Sequence, residues 1–448
     1  MASHRLRGTL PLAVACLSFL GCGGHELRTV KMRSALDAGR PREAIAFVNS
    51  EIDVKNDSEL PKDITGDNAL LVLDRGTIQQ SLTQFKLSQN DFQASDKAID
   101  MLDLAHNAGD SIGEYIFSGS ASRYVAPPYE KLLINTLNLI NYLETQDLSG
   151  ARVEARRMSI MHRYVRDELK EPNNPILGLG GYLAGFAYEK AGDAEEALRY
   201  YDEALEYVPY ASLAETLREL SARSGYKTVR ITKAIGAQGG EAERPAGEGE
   251  ILCVVGYGRV PHKIPKRVPI GLAVTMVGAF ISPYQAAQAN RLAAQGMVTW
   301  INYPTLAPDQ GSLALPTCSV DGKPLVMEEA VNISSAVREQ WKKVEGRVIV
   351  SAITRLIARY AVGKGIEKAG NSSTAAFIAS LAVQGTLTAL DTPDTRSWET
   401  LPARVAIGRM RVGPGRHTVA ASARGVSREQ PVQIDDGGWS VVSLQTLR

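Results

Sequence analysis

Residues 178–209 read GLGGYLAGFAYEKAGDAEEALRYYDEALEYVP and constrain the fold more tightly than any other stretch. They describe two helices folded back on each other. Gly185 and Ala204 are small where the paired helices must approach closely, Tyr188 and Tyr201 fill the space between them, and Ala197 stands at the tightest crossing. Gly192 supplies the left-handed residue that ends the first helix. Asp193 caps the second helix, with Glu196 three residues on as its capping-box partner, and Pro209 stops it. One such pair cannot bury its own apolar face, so it needs neighbours of the same kind.

This segment resembles a tetratricopeptide repeat. The resemblance implies stacked helix pairs with a concave face lined by the first helix of each pair. Three weaker copies precede it: ALDAGRPREAIAFV turning at Gly39, LSQNDFQASDKAIDML turning at Asn90-Asp91, and NYLETQDLSGARVEARRM turning at Gln146-Asp147. Their crossing residues are Ala44, Ser95 and Ala151. With Ala197 these are 51, 56 and 46 residues apart, against about 34 in a regular array, so inserts such as Ser111–Pro128 interrupt the repeats. Ala211–Ser224 reads as a capping helix. The repeat register projects Gln80, Gln84, Thr136, Ile140, Glu144, Tyr182, Phe186 and Glu189 onto the concave face, a mixture that suits an extended peptide from a partner. The competing expectation is that an insert or the second half of the chain fills this groove.

The second half reads differently. Gly236–Glu250 is rich in Gly, Glu and Ala, as a linker would be. Strand-like segments follow at Ile251–Val255, Val268–Val274 and Met297–Tyr303, then helical ones at Glu328–Glu345, Arg347–Gly370 and Thr374–Leu390. Arg404–Val412 and His417–Ser422, joined by Gly413-Pro414-Gly415, read as a hairpin, with further strands at Gln430–Ile434 and Ser440–Leu444. The expected fold class is α+β: an N-terminal all-α solenoid followed by a smaller mixed α/β module with a C-terminal β-hairpin. The expected boundaries are 1–21 for a leader, 22–225 for the repeats, 226–250 for a linker and 251–448 for the module.

The leader sets the expected address. Arg5 and Arg7 precede an apolar run from Leu10 to Leu20, too short to span a bilayer core of about 30 Å. The run ends in Phe19-Leu20-Gly21-Cys22, which resembles the lipobox of bacterial lipoproteins. That resemblance implies acylation of Cys22 and, with Gly23 and Gly24 following in place of an aspartate, the outer membrane facing the periplasm. Loss of Arg5 and Arg7 takes the formal charge from +1 to −1. A near-neutral chain has no global field for nucleic acid, and none is expected as partner. Cys253 and Cys318 remain; they form either one disulfide, closing a loop worth roughly 4 kcal/mol, or two buried thiols.

The stretches YVAPPYEKLLINTLNLINYLETQDLSGARVEARRM, GEGEILCVVGYGRVPHKIPKRVPI and DTRSWETLPARVAIGRMRVGPGRHTV resemble an uncharacterised family of bacterial lipoproteins that contain such repeats. The resemblance brings the architecture and no catalytic residue. No histidine pair stands at metal-ligand spacing and no phosphate-binding loop is present, so neither metal nor cofactor is expected. Gly109-Asp110-Ser111-Ile112-Gly113 has the letters of a nucleophile elbow but sits in an insert between helices, where it reads as a turn. His417 and Asp394 are the one acid–base pair weighed in the second half. Arg347, Arg355 and Arg359 recur at helical spacing beside the apolar stripe Ile349, Ile353, Leu356 and Tyr360; they form either a contact for an anionic surface or a solvated face. The loop His262–Arg267 has the same two readings. Trp398 either stacks on a ligand ring or plugs the module. The expected function is a non-catalytic scaffold or regulator of an envelope assembly handling cell wall or exported polymer, with an envelope protein or peptide segment as partner. The alternatives are an envelope hydrolase using the second half and a membrane-associated structural subunit of an export device.

Overall fold

The computed structural model describes residues 24–103, 124, 126–171, 173–236, 247–294, 300–308, 310, 313–369 and 392–448. Cys22, the Gly109–Gly113 motif and the Ala-rich segment Thr374–Leu390 lie outside them. Among the described residues no helix is long and apolar enough to cross a membrane.

The first half is a row of antiparallel helix pairs: α1 (His25–Asp37) with α2 (Pro41–Glu51), α3 (Asp67–Ser81) with α4 (Phe85–Asp103), α5 (Pro128–Glu144) with α6 (Leu148–Asp167), and α7 (Ile176–Lys190) with α8 (Ala194–Tyr207). Each pair turns on one residue of positive φ, namely Gly39, Thr83, Gln146 and Gly192. Five residues later stand Ala44, Ser88, Ala151 and Ala197, all fully buried. Close approach is enforced in the last pair, where a Cβ on Gly185 would come within 2.5 Å of the Tyr201 ring. Asp193 accepts from the Glu196 amide and Asp147 from the Gly150 amide, so both helices start on a side-chain cap. A short turn and α9 (Ala214–Ser224) close the row, and α10 (Val229–Gly236) occupies part of the expected linker.

The second pair corrects the expected register. Asn90 and Asp91 lie inside α4, and the turn is at Thr83, so the crossing residue is Ser88 where Ser95 was expected. Asp91 offers no turn because its carboxylate is spent on Arg75 inside the helix layer, at 2.7 Å from both Nε and Nη2. The true turn residue is β-branched, which gave the sequence no signal there.

The second half is built on a four-stranded sheet, ordered β10 (Trp439–Thr446), β1 (Gly249–Arg259), β7 (Pro402–Val412), β6 (Glu328–Asn332). β1 runs parallel to β10 and antiparallel to β7. Every residue of β1 is buried, because both sheet faces are covered. Alternate residues divide between two cores: Leu252 and Val254 pack with the helices, while Ile251, Cys253, Val255 and Tyr257 pack with a second sheet. That second sheet is ordered β5 (Lys323–Leu325), β4 (Thr317–Val320), β8 (Gly415–Ala423), β9 (Val426–Ile434). The molecule is thus layered as helices, sheet, sheet. One apolar cluster runs from Leu70 and Leu137 through Tyr182 to Leu252, Ile407 and Val441, so the two halves share a core.

A side lobe completes the chain. β2 (Lys263–Pro269) pairs with β3 (Trp300–Leu306), and α11 (Ile270–Met276), α12 (Pro283–Ala294) and the long α13 (Ile333–Ala369) pack around them.

Three strand and helix expectations change. Residues 404–412 and 417–422 are not a hairpin, since β7 and β8 belong to different sheets. The hairpin is β8–β9, whose turn residues Arg424 and Gly425 both have positive φ, the twist that suits a two-residue connection. Val268–Val274 is the end of a strand and the start of α11, and Glu328–Asn332 is strand β6, after which α13 runs on without a break through Glu345–Arg347.

Thr83 has φ +61 and an exposed side chain, in a region that strains a branched residue. Thr83→Gly is expected to stabilise the chain by about 1 kcal/mol, read as a higher urea midpoint at unchanged slope. A lower midpoint would show that the turn is not strained.

Candidate functional site

The side of the helix row expected to be concave is covered. Segments of the second half lie along it, and the repeat register shows how. Six residues before each left-handed turn residue stand Arg33, Thr77, Ile140 and Phe186. Arg33 donates to Glu399 at 2.7 Å, Thr77 accepts from the Trp398 indole at 3.0 Å, and Phe186 meets Trp439 edge to face at 5.7 Å. Ile140 is buried in the shared core, on a helix that packs against β10. Two residues before three of the turns stand Asp37, Glu144 and Lys190, which pair with Arg259, Arg428 and Glu250.

The eight residues projected onto a partner groove therefore have other work. Gln80 donates to the Leu137 carbonyl and Asn141 between helices, and Gln84 lies in the turn rather than on a helix. Thr136 is buried, donating to the Leu132 carbonyl. Tyr182 is buried edge to face against Tyr201 and Tyr210. Glu144 accepts from Arg428 and from the Ser443 hydroxyl, both at 2.7 Å. In this conformation Gln80, Thr136, Tyr182 and Glu144 make these contacts within the chain itself.

The strongest contact is a buried cluster of four charges. Glu189 takes Arg409 Nη2 at 2.6 and 2.8 Å and Lys190 at 2.8 Å, and it accepts from the Tyr201 hydroxyl at 2.6 Å. Glu250 of β1 binds the same Arg409 and Lys190. Burial alone would raise Glu189, but the Arg409 and Lys190 charges overcome it and hold the carboxylate far below its usual range. Two anions and two cations cancel, which is what makes such burial tolerable; removing one partner from a buried pair costs about 3–5 kcal/mol.

At the other end of the groove the segment 395–401 crosses α3 and α5. Glu130 accepts from the Trp398 amide at 3.1 Å and from Tyr124, while burial pushes its carboxyl up. Asp74 accepts from the amides of Glu399 and Thr400 and from the Thr400 hydroxyl, at 2.8–3.1 Å. Burial first, and the Glu399 charge second, push Asp74 up to about 7. Asp74 Oδ2 and Glu399 Oε1 are both buried without a hydrogen-bond partner. Trp398 is fully buried and edge to face with Phe92 at 5.7 Å, which makes it a plug rather than a stacking surface.

The remaining candidates are placed apart from this contact. Cys253 and Cys318 are free, buried thiols on strands of the two sheets, in the same apolar cluster. Arg347 is exposed; Arg355 is half-buried and donates to Ser351 at 3.0 Å; the side chain of Arg359, like that of Tyr360, lies outside the described residues. Lys263 donates to the Arg396 carbonyl at 2.9 Å, while Lys266 and Arg267 remain exposed on β2. His417 bonds Asp321 at 2.7 Å and Asp394 bonds Arg396, so that pair does not meet. Among the described residues no group of three or more His, Cys, Asp or Glu is arranged to hold a metal.

Sequence reasoning missed Asp74, Thr77, Glu130, Glu250 and Arg409. A signal for Thr77 was present in the spacing to the turn residue, and the misplaced second turn hid it. Nothing local to Glu250 or Arg409 marks them, since they meet Glu189 only through sheet pairing. No protein-family model matches this chain, and no curated protein matches it.

The Asp74 site generates a pH dependence of known sign. A carboxyl raised in the folded state favours folding when protonated, so this contribution to stability grows as pH falls from about 7 toward the ordinary carboxylate value near 4. Asp74→Asn keeps an accepting oxygen and removes the charge that burial and Glu399 disfavour. It is expected to match or exceed the parent in urea midpoint at pH 7.5 and to lose that advantage by pH 4.5. A variant several kcal/mol weaker at pH 7.5 would mean that the ionised carboxylate is required.

Proposed function

We propose that this chain is a lipid-anchored, non-catalytic scaffold of the bacterial envelope, built on a tetratricopeptide-like helix row whose groove is filled by its own second half. The observation that carries the reading is the set of exposed apolar side chains on the side lobe. Leu272, Met276, Phe280, Tyr284 and Trp300 stand out from a lobe whose interior is otherwise closed, with Tyr284 72% exposed and Phe280 57%. Large exposed apolar side chains gathered on one lobe favour a protein contact. The partner contact in this reading is therefore the lobe, and the groove serves the fold.

The anchoring half of the reading rests on the leader and the Gly21-Cys22 junction. α1 begins at His25, only three residues on, and the Glu26 amide donates to Thr395 at 3.1 Å. Three residues span at most about 10 Å, so acylation of Cys22 would hold the folded body against the bilayer surface with no long tether. More than one acyl chain, each worth about 0.8 kcal/mol per buried methylene, makes such an anchor lasting.

Cross-linking in intact cells followed by affinity capture tests the scaffold reading. The unaltered protein is expected to bring down one envelope protein reproducibly, and Phe280→Ser with Tyr284→Ser to lose it while keeping the same far-ultraviolet circular dichroism and thermal midpoint. Undiminished capture by the double variant would remove the lobe as the contact.

A further inference from the structure

Where the central sheet, α13 and a surface loop meet, there is a cavity of about 190 Å³. Arg259 from the end of β1, Arg404 from the start of β7 and Arg338 from the second turn of α13 all line it. Asn332, Ser334 and Ser335 at the helix start and Gln310 from the loop supply amides and hydroxyls, and no carboxylate is among the described residues of the lining.

Each of the three guanidiniums already has a partner, and for Arg259 and Arg404 it is a carboxylate that approaches from outside the described lining. Asp37 takes Arg259 Nη2, and Glu329 takes Arg404 Nη1 at 2.9 Å. A guanidinium offers five N–H donors in a rigid plane, so one bond to one nitrogen leaves capacity over. Arg259 shows the consequence most clearly. Its side chain is only 7% exposed, and its Nε is buried with no hydrogen-bond partner. An unmet buried donor on a charged group costs free energy, and an acceptor brought to Arg259 would relieve that cost. Burial correspondingly lowers Arg259 from its ordinary range, with Asp37 opposing.

The helix adds a second, independent term. α13 is 37 residues long, and Asn332 just before it accepts the Ser335 amide, at 3.0 Å. The remaining first-turn amides and the positive end of the helix dipole lie beside the same cavity, an arrangement that favours an anion. Neutral amides and hydroxyls among three guanidiniums suit an acceptor with several oxygens rather than a cation or an apolar group.

We propose that this cavity binds an oxyanion, the phosphate or carboxylate group of a small ligand or of a larger envelope molecule. Arg338 and Arg404 grip its oxygens from two sides, Arg259 supplies the buried donor, and the start of α13 meets it with Ser334 and Ser335. The site stands whether or not Cys22 is acylated, and it lies on elements other than the apolar positions of the lobe.

Isothermal titration of the full mature chain carrying Cys22→Ser, at constant ionic strength, tests the proposal. The probes are inorganic phosphate, a short peptide with a free C-terminal carboxylate and the same peptide amidated. Saturable binding of phosphate or of the free peptide is expected, with chloride and the amidated peptide inert. Phosphate alone would identify a phosphate site, and the free peptide alone a carboxylate site. Arg338→Gln and Arg404→Gln should each weaken binding roughly ten- to a hundredfold, and Ser335→Ala, which leaves the charges in place, should weaken it less. Arg291→Gln, exposed on α12, should leave it unchanged. Absence of saturation with every probe, or binding by folded Arg338→Gln and Arg404→Gln proteins equal to the parent, would overturn the proposal.

Discussion

A row of helix pairs exposes an apolar concave face, and here that face is satisfied from within. The four-charge contact of Glu189 and Lys190 on α7 with Glu250 and Arg409 of the sheet decides the rest of the architecture. Each charge in it is nearly excluded from water. Neither half could keep its share buried without the other, because an unpaired buried charge is far more costly than the pair. The same logic repeats along the groove at Glu144 with Arg428 and Arg33 with Glu399. Apolar contacts such as Phe186 with Trp439 and Phe92 with Trp398 add area, while the charges fix the register.

This constraint explains why the central sheet reads as it does. β1 is buried on both faces, so ILCVVGYG is a continuous run rather than an alternating one. Its parallel neighbour β10 carries Trp439 and Ser443 to the helices and Val442 and Leu444 to the second sheet. A groove expected to receive a foreign strand receives β10 and the segment 395–401 instead. The exposed side chains of the lobe and the arginine-lined cavity are the places proposed above for outside contacts.

Much of this was legible in the sequence. The Gly192-Asp193 turn, the Gln146-Asp147 turn, the crossing alanines 44, 151 and 197 and the short helix after Pro209 all follow from local chemistry, and the structure has them. The mixed helix-and-strand division was legible from composition and periodicity. What the sequence hid was non-local or carried by untypical residues. Thr83 adopts a left-handed turn that glycine or asparagine would have announced, and Arg424-Gly425 closes a hairpin without the usual Asn-Gly. The filling of the groove could not be read because it depends on which half meets which, and Gln80, Thr136 and Tyr182 look alike whether they face a partner or the chain itself. The arginine cavity joins residues 259, 338 and 404, which no spacing rule connects.

The central claim is that helices and sheets form one cooperative unit through the filled groove. Urea unfolding of the whole chain, followed together by far-ultraviolet circular dichroism and by the fluorescence of Trp398 and Trp439 after Trp300→Phe and Trp341→Phe, tests it most directly. The account predicts a single transition with coincident midpoints, since both remaining indoles sit between the halves. Exposure of those indoles at lower urea, with helical signal retained, would show halves that separate before they unfold and would contradict it.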